Sequence, residues 1–138
     1  MADSYNNIGG VYLQKGDLEN ALLQHQKALE VFLAVYGQEH LSVAKTKVNM
    51  AIIYKRQGLY DQALELYNSV LETKVRVVGH NHLEVASCYQ NIAATYQAQG
   101  NEAGAIEMCT KAYRIFLKVL GPDHSHTLAL EPFVNVDE

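Results

Sequence analysis

Cysteine is scarce in this chain. Two residues, Cys88 and Cys109, both within residues 87–128, are too few for a disulfide framework. They are expected to be reduced core thiols of an intracellular protein. A basic excess is also missing. The net charge of -4 and pI near 5.8 argue against nucleic acid as the main partner. No apolar run approaches the roughly 20 residues of a membrane helix, and the N-terminus lacks a signal-peptide pattern. The cytoplasm is therefore the expected compartment, with no membrane partner. No nucleophile motif, phosphate loop or paired-carboxylate pattern stands out, so no catalytic residue and no cofactor is expected. The 138 residues are 49% hydrophobic and 19% charged, which suits one folded domain with an elongated core.

What the chain does have is a period of 42 residues. Segments 3–44, 45–86 and 87–128 align without a gap, leaving a tail at 129–138. Identical columns include Asn7/Asn49/Asn91, Tyr12/Tyr54/Tyr96, Gly16/Gly58/Gly100, Ala21/Ala63/Ala105, Val35/Val77/Val119, Gly37/Gly79/Gly121 and His40/His82/His124. A fixed period of this size marks a solenoid, whose units bury their apolar faces against their neighbours. Residues 1–138 are thus expected to form a single array that presents a surface for binding.

Within each copy, two amphipathic segments are separated by a glycine. In the second copy Val48, Ala51, Ile52 and Tyr54 follow helical spacing up to Gly58, which suits the left-handed residue just past a helix end. Asp61 favours the start of a second helix, and Gly79 stops it. The expected helices are 3–15, 19–36, 42–57, 61–78, 84–99 and 103–120. Gly9/Ala51/Ala93 and Ala21/Ala63/Ala105 are small where the paired helices cross. Leu22/Leu64/Ile106 are expected to extend the core, and His25 to be packed in it. Thr127 onward begins a further helix that Pro132 cuts short.

The order Tyr5, Ile8, Gly9, Tyr12, Gly16, Ala21, His25, Ala28 resembles the tetratricopeptide repeat. So does Tyr89, Ile92, Ala93, Tyr96, Gly100, Ala105, Cys109, Ala112, while the second copy departs at Lys47 and Val70. The 42-residue length and Val119-Leu120-Gly121-Pro122-Asp123-His124 are similar to the kinesin light chain form of that repeat. The resemblance implies an all-α fold: a right-handed superhelix of three helix-turn-helix repeats plus a short C-terminal segment.

In such a superhelix the first helix of each pair lines the concave face. Candidate binding residues there are Asn7 in the first copy, with Asp3 and Asn6 beside it. The second copy contributes Lys45, Asn49, Ile52, Lys55 and Arg56, and the third Gln90, Asn91 and Gln97. A carboxamide both donates and accepts, so the Asn7/Asn49/Asn91 column is suited to bracketing an extended peptide backbone. It is equally able to brace a neighbouring helix. Lys45, Lys55 and Arg56, with Lys47 at their edge, would favour an acidic peptide over a plain solvated face. The expected function is a non-catalytic adaptor for such a peptide, and kinesin light chains bind cargo motifs of tryptophan among acidic residues. The alternative is a self-assembling structural module, a homo-oligomer joined through its terminal repeats. His80-x-His82 and Asp123-His124-x-His126 look ligand-like, but His40, His82 and His124 hold one repeated loop position. Helix capping is expected there, with no metal site.

Overall fold

The computed structural model describes residues 2–134, with side chains over 4–134; Asp3 as a side chain and the tail residues 135–138 lie outside the described residues. The chain runs α1 (Ala2–Gln14), α2 (Leu18–Tyr36), α3 (Leu41–Arg56), α4 (Tyr60–Val78), α5 (Leu83–Gln99), α6 (Glu102–Leu120) and α7 (Ser125–Leu130). A 3-10 turn at Glu131–Phe133 comes after α7. Every bound of α1 to α6 falls within one residue of its expected place, because both kinds of turn are written in glycine.

The turn inside each pair is a Schellman motif. The Asp17, Leu59 and Asn101 amides donate to the carbonyls of Tyr12, Tyr54 and Tyr96 at 2.9, 2.8 and 2.8 Å. Gly16, Gly58 and Gly100 donate to the carbonyls of Leu13, Lys55 and Gln97. This closure needs a left-handed residue, and Gly100 supplies it at φ 89°, ψ 9°. The side chains of Asp17 and Asn101 then accept the amides of Asn20 and Gly104, capping α2 and α6. Leu59 holds that position before α4, where Asp61 in the first turn supplies the negative charge instead.

The turn between pairs is different. Gly37 at φ 79°, ψ -178° and Gly121 at φ 89°, ψ 168° lie in an extended, positive-φ region that is nearly glycine's alone. Three residues on, an imidazole caps the next helix. His40, His82 and His124 accept through Nδ1 from the backbone N–H groups of Ser42, Glu84 and His126, at 3.1, 3.0 and 3.1 Å. Each Nδ1 lone pair is therefore engaged by a backbone donor. The rings also stack: His40 lies 4.0 Å from Tyr36, centroid to centroid, and His126 lies 5.2 Å from His124 and 5.4 Å from Phe116.

Two compact units result, Met1–Val70 and Leu71–Glu138, dividing within α4. In the first, Ala28, Phe32 and Val43 form a core joined by Tyr5, Leu29 and Leu33. In the second, Val85, Ala86, Ala112, Ile115, Phe116 and Leu130 do so, with Leu71, Val75 and Tyr113 against them. Five of the six small positions are buried as their crossing role requires, Gly9, Ala21, Ala51, Ala63 and Ala93, whereas Ala105 is half-buried. Two expectations need correction. Ile106 is 45% exposed, not core. Cys88 is a buried core thiol as expected, but Cys109 is only half-buried. Burial raises both thiols above their ordinary pKa, which disfavours thiolate chemistry.

Candidate functional site

The first unit is held in register by a buried polar chain. His25 Nδ1 lies 2.8 Å from Asn6 Oδ1, which only accepts, so the ring carries its proton on Nδ1. Asn6 Nδ2 donates to Thr46 Oγ1 at 2.9 Å, and Thr46 donates to the Ser42 carbonyl at 2.8 Å. The chain links α1, α2 and α3 through side chains alone. Asn6 is therefore a structural clasp and not a residue of the open face, which corrects the sequence reading. It also fixes the neighbours of its members, Asn7 on α1 and Lys45 on α3.

His25 is 1% exposed, and its Nε2 has no hydrogen-bond partner among the described residues. Burial alone pushes its pKa below the ordinary 6.5. The neutral ring is favoured in the folded state, so the unfolded chain binds the extra proton first. The stabilisation is fully present above pH 6.5 and is lost as the pH falls below it. Urea midpoints measured between pH 7.5 and roughly pH 5 should therefore fall more steeply for the native chain than for His25→Cys. Parallel profiles would exclude His25 as the cause.

Lys47 shows why the second copy departs from the others. In the first and third copies, a lysine of the second helix lies over a tyrosine of the first: Lys27 at 5.9 Å from the Tyr5 centroid, Lys111 at 5.6 Å from Tyr89. In the second copy the cation has crossed over. Lys47 of α3 donates to Ser69 of α4 at 2.7 Å, and its burial pushes its pKa down. Lys47 is thereby committed to α4 and does not join the candidate basic group.

The residues left open on α3 form one stripe. Val43, Thr46, Met50 and Ile53 are buried. Lys45, Asn49, Ile52 and Arg56 recur at three- and four-residue steps on another side of the helix, with Lys55 adjacent. Lys45 and Arg56 are exposed, and Asn49, Ile52 and Lys55 are half-buried. Asn7 is exposed at the equivalent position on α1, and Asn91 is half-buried on α5. None of the three carboxamides makes a side-chain hydrogen bond among the described residues, and none of Lys45, Lys55 and Arg56 is paired with a carboxylate there. Among the described residues the asparagine side chains therefore have no bracing partner. Gln90 and Gln97 fall in the wall of a cavity of about 800 Å³ in the second unit, which sequence reasoning did not single out. Its only signal in the sequence is Pro132, which stops the helix that would otherwise continue there. Among the described residues no helix is long and apolar enough to cross a membrane.

No curated protein matches the chain. Among solved structures, BtubC (BKLC) from P. vanneervenii is similar with a TM-score of 0.80 at 23% identity, over 96% of this chain and 56% of that one. A putative kinesin light chain of Podosopora anserina with nearly identical TPR-like repeats has a TM-score of 0.77 at 23%, over 93% and 61%. The N-terminal domain of stress-induced protein-1 from C. elegans matches at 0.69 and 14%, over 96% and 93%. The chain therefore spans under two thirds of the first two. These likenesses show the fold, an all-α helical repeat superhelix whose relatives include kinesin light chain-like repeats. Tetratricopeptide repeats generally mediate protein–protein interaction, and the fold is typically a non-catalytic scaffold. The tetratricopeptide repeat model matches residues 1–74 and 42–118, and with its three glycine-closed helix pairs this chain belongs to the tetratricopeptide repeat family.

Proposed function

We propose that the protein is a non-catalytic cytoplasmic adaptor that holds an extended acidic peptide against the first helices of its repeats. The reading is carried by the unsatisfied stripe of α3. Half-buried Asn49 has hydrogen-bonding capacity with no internal use, and Lys45, Lys55 and Arg56 surround it without a neutralising acid. Asn49 would bracket a peptide amide, with Asn7 on α1 doing the same one repeat earlier. Arg56 would pair bidentately with a carboxylate, and Ile52 supplies an apolar contact between them. Asn91, Gln90 and Gln97 hold the matching columns of α5.

The test is Asn49→Ala with Arg56→Ala. Each loss of a hydrogen bond to peptide is worth about 1 kcal/mol, and more where a charge is involved, so the pair should weaken capture of a fluorescein-labelled acidic peptide containing tryptophan by at least about tenfold. Sedimentation should show the oligomeric state unchanged. A second reading, self-association, draws on Ile8 and Val11, which are about half exposed where Met50 and Ile53 of α3 are buried at the same columns. An altered oligomer with no peptide captured at any concentration would favour that reading.

A further inference from the structure

The α1–α2 pair of the first unit and the α5–α6 pair of the second differ in how they are covered. In the first unit α3 succeeds α2 through a four-residue turn and runs back along it. Its first half places Val43 on Ala28 and Phe32, near the end of α2. Its second half, burying Met50 and Ile53, continues toward the start of α2, where Ala21 and His25 are enclosed. In the second unit α7 begins in the same register with the same histidine cap. It buries Thr127 and Leu130, and Leu130 packs with Ala112, Ile115 and Phe116. There the likeness stops, because Pro132 turns the chain into a 3-10 segment after six helical residues. Among the described residues no helix covers the first half of α6. Ala105 and Cys109, at the columns of Ala21 and His25, are only half-buried, and Ile106 is 45% exposed. The result is the 800 Å³ cavity, walled by Ala94, Gln97, Ala105, Ile106, Cys109 and Phe133.

We propose that this groove is the seat of a short amphipathic helix supplied by a partner protein, presenting Met- and Ile-sized side chains one turn apart. The kind of occupant is read from the interface that the groove continues: in the first unit the equivalent surface is closed by the second half of α3. Glu102, the charged residue in the described wall, selects a basic end on that helix, as Lys55 and Arg56 provide on α3. The groove lies wholly in the second unit and shares Gln90 and Gln97 with the α5 columns, but its occupant is a helix rather than an extended acidic chain.

The probe is a stapled helical peptide with the sequence of the second half of α3, residues 47–56, fluorescein-labelled and titrated with the full chain. Saturable binding is expected. Ile106→Glu, a substitution at an exposed position, should weaken it about tenfold or more, with the helical circular dichroism of the protein unchanged. The same peptide carrying Met50→Glu and Ile53→Glu should fail to bind. Protein bearing Asn49→Ala and Arg56→Ala should bind the probe normally, so this result is independent of the peptide-adaptor reading. Absence of saturable binding, or equal binding by the Ile106→Glu protein, overturns the proposal. So does a native dimer that Ile106→Glu converts to monomer, since the occupant would then be a second copy of the chain.

Discussion

Gly9→Ala is expected to destabilise the protein by about 2–3 kcal/mol, even though alanine stands at the same column in both other copies. A Cβ at Gly9 would lie 2.8 Å from His25 Nε2 and 3.0 Å from two ring carbons. The ring cannot swing aside cheaply. It is buried, and its other nitrogen is tied to Asn6, which in turn holds Thr46. Relief requires either α1 to move away from α2 or the clasp to break, leaving buried polar atoms unpaired. The third copy has already solved the same crossing with Ala93 and Cys109. Gly9→Ala should therefore cost much less in a His25→Cys background than in the native chain, a coupling readable as a double-mutant cycle in urea midpoints. Additive costs would show that the alanine is rejected for some reason other than the ring.

The second large effect separates two glycines that look alike in sequence. Gly37→Ala should cost about 2 kcal/mol, since φ 79° with ψ -178° is closed to residues with a Cβ. Gly100→Asn should cost less than about 1 kcal/mol, because asparagine tolerates the left-handed conformation of a Schellman turn. Neither glycine has an atom within 4 Å of where its Cβ would be, so crowding does not confuse the comparison. Equal losses in denaturation would mean that the turn between pairs relaxes to another closure.

The helix bounds are legible in the sequence because each is set by residues within one turn of it. Gly16, Gly37 and His40 act locally, and the period repeats their message three times. The columns Ala21/Ala63 and the packed His25 are legible for the same reason. The clasp is not. Asn6 meets Thr46 across forty positions, and its column holds Val48 and Gln90 in the other copies, so repetition offers no warning. Lys47 reads as one more cation beside Lys45 until Ser69 of a different helix claims it. Exposure of Ile106 stems from the early stop at Pro132, a tertiary consequence of one residue more than twenty positions away.

Each joint between successive helix pairs is assembled from a handful of consecutive residues: a glycine in a conformation few others reach, then an imidazole that catches the first free amide of the next helix. Nothing distant has to cooperate. Genetic duplication of a whole 42-residue block would carry its own hinge pin with it, so arrays of this kind can be lengthened or shortened by recombination without redesigning any connection.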